Sequence, residues 1–257
     1  RLIRERGEDG LMTGFEVSHP EGVRLSSYVL RDSHLVKLAW LLPFCSVMGA
    51  VTLHVLLGNY RDVPFFISEA DYPGIEGIVF TTGLFVSAGF QCLLALRLYV
   101  LFRRRAKAKT LLFATILGVA SSSHLAVLAF ANMYDYLSLH VYTSIIVFHG
   151  GFTWALLAHF SLPDSHPKGR RLRLTSLAIA LVSLVVMTIS IGKGVEQRSR
   201  ELGVEPDMIP LNQLQPWVDV AAPAEFILFF ALLGCLASFT WDILEQSDQF
   251  QNPSIES

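Results

Sequence analysis

His124, His149 and Glu225 are the residues best placed to do chemistry, because each sits deep in a long run almost empty of fixed charge. If those runs are helices, a rise of about 1.5 Å per residue puts all three roughly 12–15 Å below the same surface. A carboxylate and an imidazole at one depth can act as acid and base, or with a metal, on a lipid headgroup. The same pair can instead be architectural, with His149 or His124 neutralising or hydrogen-bonding Glu225 and fixing helix packing. A third reading is a lipid- or sterol-binding pocket without chemistry. His140, His149 and His159 are nine and ten residues apart, too far along one helix to bind one metal together. No serine nucleophile motif, Walker loop, GxGxxG unit or His-x-x-x-His pair is present. No cofactor or metal is therefore expected, and His124, His149 and Glu225 stand as catalytic candidates only.

A second concentration of functional groups is Val63–Phe80, VPFFISEADYPGIEGIVF, where Glu69, Asp71 and Glu76 stand among Phe65, Phe66, Tyr72 and two prolines. Acids mixed with aromatic rings suit a compact cap at a membrane–water boundary, where rings settle at headgroup depth. The plainer reading is a structured connector.

The positioning elements follow from composition. The chain of 257 residues is 52% hydrophobic and 16% charged, with a mean hydropathy of +0.47. Six windows, Leu38–Gly58, Ile78–Leu96, Thr110–Tyr134, Tyr136–Pro163, Leu174–Gly192 and Val220–Trp241, contain no Asp, Glu, Lys or Arg except the one carboxylate of Glu225. Each is near the roughly 20 residues that span a bilayer as a helix. Strands in hydrocarbon would need about ten residues of alternating polarity in a closed barrel, a pattern these runs lack. The expected fold is an all-α integral membrane bundle of six transmembrane helices, with a cap formed by two outer loops.

Charge sets the expected orientation. Of the 20 Lys and Arg residues, sixteen fall in residues 1–37, Arg97–Lys109 and Lys168–Arg173, against four on the other side. The positive-inside rule places both termini in the cytosol. Arg103, Arg104, Arg105, Arg170 and Arg171 become candidate contacts for anionic lipid headgroups, and nucleic acid is not implied. Residues 1–34 read as a flexible cytosolic tail, 35–245 as the transmembrane domain and 246–257 as a second cytosolic tail. Pro43 sits near one end of the first helix, and His54 reads as an interfacial residue about one turn from the outer surface. Ala114, Gly118, Ser122 and Ala126 form a smooth stripe for helix packing. The fifth span reads as scaffold. Lys193–Trp217 starts helix-like, then meets Pro206, Pro210 and Pro216, and can fold over the first cap. Cys45, Cys92 and Cys235 all lie in apolar windows, so they say nothing of redox compartment.

The stretch Pro64–Phe80 resembles the first outer loop of the six-span damage-regulated autophagy modulator (DRAM) proteins and their FGF-receptor-activating, SFK-type and post-GPI-attachment relatives. Pro64, Phe66, Ile67, Ser68, Glu69 and Pro73 carry that likeness, with His149-Gly150-Gly151, Glu225-Phe226 and Trp241-Asp242 as secondary matches. The resemblance implies a multi-pass protein of the endomembrane system (lysosome or Golgi) or the plasma membrane, linked to autophagy, phosphoinositide signalling, lipid asymmetry or GPI-anchor remodelling. The expected function is non-enzymatic: organising or sensing membrane lipids, or regulating a lipid-handling enzyme or trafficking partner. The alternative is an intramembrane lipid- or GPI-remodelling enzyme, or enzyme subunit, using the His124/His149/Glu225 layer.

Overall fold

Each uncharged run is a helix, as the need to satisfy backbone polar groups inside the chain requires. The computed structural model describes residues 15–19, 21–162 and 165–251. Its helices are α1 (Asp32–Leu57), α2 (Ile75–Phe102), α3 (Ala108–Leu128), α4 (Leu137–Ser161), α5 (Pro167–Leu202) and α6 (Gln215–Gln251). All six are long and apolar enough to cross a membrane. Their outward faces carry large apolar side chains, including Phe113, Ile116, Val182 and Ile189, as a lipid-facing surface does. The all-α six-span bundle is thus the architecture observed.

Neighbours in sequence pack as antiparallel pairs, α1 with α2, α3 with α4 and α5 with α6, and α6 also lies along α1. Small residues set the approach distances. A Cβ on Gly118 would meet the Trp154 ring at 2.7 Å and the Ala95 methyl at 2.8 Å, so the expected stripe on α3 is where α2 and α4 close in. A Cβ on Gly150 would lie 2.3 Å from Ser121 Oγ across the same seam.

At one end of the bundle the helix termini are tied together. The Lys107 backbone N–H donates to Ser161 O at 3.2 Å, and that of His166 to Asp242 Oδ1 at 2.8 Å. Asp242 also pairs with Arg173, whose Nε donates to Ser238 Oγ at 2.9 Å and whose guanidinium lies 4.0 Å over the Phe239 ring. Arg97 makes a two-pronged pair with Asp32, both contacts at 2.8 Å. Arg97 and Arg173, counted with the basic residues that set the orientation, are fully buried. Arg103, Arg104, Arg105, Arg170 and Arg171 are exposed at this same end.

The expected flexible tail needs correction over its described part. Residues 15–31 form an antiparallel meander, β1 (Phe15–Glu16), β2 (Gly22–Leu25) and β3 (Tyr28–Arg31), in the order β1-β2-β3. Val23 pairs with Leu30 across the hairpin, and both bury against Leu35 of α1. Arg97 Nη1 donates to Val17 O at 2.7 Å, so the sheet is fastened to α2 as well. α1 begins at Asp32, ahead of the expected domain boundary at 35, and Asp32 pairs with the buried Arg97. At the other terminus α6 runs on to Gln251, past the expected boundary at 245. Residues 1–14 and 252–257 of the expected tails lie outside the described residues.

Candidate functional site

The opposite end of the bundle is closed by the cap. Gly58, with φ of 71°, ends α1 in the left-handed conformation that glycine adopts without steric cost. The chain then crosses to a short 3-10 turn, Ile67–Ala70, before α2 begins. Glu69 organises that turn: its Oε1 accepts from the Phe66 N–H at 2.9 Å, and Arg61 contacts both carboxylate oxygens at 3.2 and 3.3 Å. Tyr134, from the α3–α4 turn, donates its hydroxyl to Glu69 O at 2.9 Å.

The α1–α2 and α5–α6 loops form one cap, as expected. Gln215, at the start of α6, donates to Pro64 O at 3.0 Å and accepts from Arg61. Phe66 packs against the cluster of Ile209, Leu214 and Val218. Ile67 turns the other way, into the core with Val47, Phe80, Leu84 and Leu128. The cap is therefore wedged into the mouth of the bundle rather than laid over it.

That wedging decides the fate of Glu225. Its carboxylate is buried, and Oε2 accepts from the backbone N–H of Ile67 at 2.7 Å. The inward orientation is the expected one, but the partner is not. His124 and His149 each place Nδ1 on a carbonyl of their own helix, Ala120 O at 2.8 Å and Ile145 O at 3.0 Å. His149 is exposed on the bundle's flank, and His124 is half-buried beside Tyr142. Among the described residues no hydrogen bond or ion pair joins either imidazole to Glu225. Equal depth did not imply equal facing, since three side chains on three helices also need matching rotation.

A different histidine meets an acid. His54 of α1 and Glu76 of α2, both fully buried, approach to 3.7 Å between Nδ1 and Oε1. Asn59 donates to Glu76 Oε1 at 2.5 Å. His54 is thus no interfacial residue: Phe65 and Tyr72 of the cap cover its ring at centroid distances of 5.4 and 5.9 Å. Both residues sit within a turn of the cap on consecutive antiparallel helices. Asp71 is buried close by, with Thr81 donating to it at 3.4 Å, and burial pushes its carboxyl up to about 7. No three His, Cys, Asp or Glu side chains among the described residues converge as a metal's ligand set.

Deeper in the bundle is a cavity of about 90 Å³, lined from five helices by residues that include Pro43, Gln91, Ser122, Gly151, Trp154 and Phe229. Its lining contains no Asp, Glu, Lys, Arg or His. The Gln91 amide, its largest polar group, donates to Ala39 O at 3.3 Å.

A family model described as the Frag1/DRAM/Sfk1/Cwh43P N-terminal domain matches residues 33–245, from the first turn of α1 almost to the end of the bundle. The chain belongs to this family. It is an integral, multi-pass membrane protein with six apolar helices. No curated protein and no solved structure matches it. Of the positions that suggested the Frag1/DRAM/Sfk1 likeness, Pro64, Phe66, Ile67 and Glu69 hold the cap together, while Ser68 is half-buried with its carbonyl accepting from the Asp71 N–H at 3.1 Å. Pro73 is exposed ahead of α2. Asp242 of the Trp241-Asp242 pair anchors the start of α5 to α6.

Proposed function

We propose that this Frag1/DRAM/Sfk1 protein is a non-enzymatic membrane component that senses or organises lipids, holding part of an apolar lipid, an acyl chain or a sterol edge, within its bundle. The observation that carries this reading is the uncharged cavity enclosed by five helices. Apolar cavities of this order stay dry and accept slender apolar groups. Gly151 lines it with open space ahead of its Cα: a Cβ there would have nothing nearer than Leu232 Cδ1 at 4.0 Å.

The acidic groups favour the same reading over catalysis. Glu225 is occupied by a backbone N–H and Glu69 by Arg61 and Phe66, so each serves the cap. Among the described residues no carboxylate pairs with His124 or His149 to orient it as a general base. On the basic end, the exposed Arg103, Arg104, Arg105, Arg170 and Arg171 are suited to anionic headgroups, consistent with that end facing the cytosol. Such a protein would act in endomembranes or the plasma membrane, alone or by presenting lipid to a lipid-handling enzyme or trafficking partner.

The experiment is purification into nanodiscs, identification of co-purifying lipid by mass spectrometry, and incubation with glycerophospholipid and GPI-anchored substrates. Stoichiometric lipid recovered unchanged supports the proposal. Hydrolysis or acyl transfer that is lost in Glu225→Gln, His124→Ala or His149→Ala would replace it with the enzymatic alternative.

A further inference from the structure

Among the described residues, three polar atoms beneath the cap have no hydrogen-bond partner although they are out of solvent reach: His54 Nδ1, His54 Nε2 and Glu76 Oε2. All belong to one pair, and the 3.7 Å between Nδ1 and Oε1 is too long for a hydrogen bond yet within ion-pair reach. We propose that His54 and Glu76 form a buried proton-binding site that couples the seating of the cap to the pH of the solution bathing it.

A neutral imidazole offers one donor and one acceptor, and here neither is used. Adding a proton makes both ring nitrogens donors and turns the contact with Glu76 into an imidazolium–carboxylate pair. Glu76 is held ready for it: Asn59 fixes Oε1, and the Asn59 backbone N–H donates in turn to His54 O at 3.2 Å. A sealed position of this kind suits a proton better than any larger ligand.

The ring also forms the floor on which the cap rests. Phe65 and Tyr72 lie against His54, and Tyr72 stacks edge-on to Tyr134 at 5.3 Å, whose hydroxyl holds the Glu69 carbonyl. The ionisable groups that surround this floor come from every packed element: Glu76 of α2; Arg61, Glu69, Asp71 and Tyr72 of the cap; Tyr134 of the α3–α4 turn; and Glu225 of α6. Of these groups Glu69, Asp71, Glu76 and Glu225 are buried, and Arg61 pairs with Glu69. A proton turns an unsatisfied buried ring into a paired one, and Asp71, raised toward neutrality by burial, acts in the same direction. Acid therefore seats the cap, and alkali loosens it.

Because Asp71 titrates in its own right, the test starts from the full-length Asp71→Asn protein in nanodiscs. Hydrogen exchange of the segment 64–73, corrected for the intrinsic rate, is followed from about pH 5.5 to 7.5, the range in which imidazole changes charge. Protection should be several-fold greater at the acid end. His54→Gln and Glu76→Gln, each introduced separately, should flatten the dependence while the helices keep their protection. A flat profile in Asp71→Asn itself overturns the proposal. So does a dependence that survives both substitutions, and if one variant fails to fold, the other decides.

Discussion

The carboxylate of Glu225 accepts a hydrogen bond from the backbone N–H of Ile67 at 2.7 Å, joining the last helix to the first outer loop across 158 positions of sequence. An amide side chain can still accept that bond, so Glu225→Gln should retain the seated cap. Glu225→Leu strands the Ile67 N–H and should cost about 1–3 kcal/mol. Thermal unfolding in a mild detergent, with exchange protection at residues 64–73, reads both outcomes.

The same reasoning applies at the basic end with a larger stake. Arg97 and Asp32 are fully and almost fully buried, and removing either breaks a buried ion pair. Arg97→Met or Asp32→Ala should each destabilise by about 3–5 kcal/mol, and the double variant by less than the two together. A double-mutant cycle on the unfolding midpoint measures this. Loss of the sheet at residues 15–31 should accompany each single change, because Arg97 also holds Val17 O.

Asp71 supplies a pH prediction of fixed sign. Its carboxyl lies at about 7 in the closed cap against an ordinary 3.8, raised by burial. A raised value means that its contribution is fully present below about pH 4 and is lost as pH rises through about 7. Asp71→Asn, which cannot ionise, should raise the unfolding temperature above pH 7 and leave it unchanged near pH 4. An equal effect at both pH values would show that the substitution acts through packing.

How much of this was legible in sequence depends on what each residue type reveals. The helices were, because an absence of charge over about 20 residues has one reading in hydrocarbon. The cap was, because Pro, Gly and acids cannot continue a span. Arg97 and Arg173 were not: a charge count treats a buried, paired guanidinium as it treats an exposed one. The inward turn of Glu225 followed from the cost of exposing it to lipid, but its partner is a backbone N–H, which no residue pattern marks. His54 and Glu76 are 22 positions apart on two helices, and only the packing of α1 on α2 brings them together. The meander at 15–31 was hidden by Glu21, Arg24 and Arg31, whose charges mask the apolar positions Val23 and Leu30.

Orientation can be tested directly. With Cys45, Cys92 and Cys235 replaced, a single cysteine at exposed Val63 should react with an impermeant maleimide from the extracytosolic side. One at Arg104 should react only after permeabilisation. The reverse pattern would invert the assignment of the basic end to the cytosol.

The central claim, that the five-helix cavity holds part of a lipid, is tested most directly by filling it. Gly151→Leu projects a side chain into the open space beside Leu232 on a helix that tolerates leucine well. Native mass spectrometry of wild type and variant, purified identically and matched for unfolding temperature, counts bound lipid per chain. The account predicts a retained lipid in the wild type that is lost or sharply reduced in Gly151→Leu. Equal lipid occupancy in the two folded proteins would contradict it.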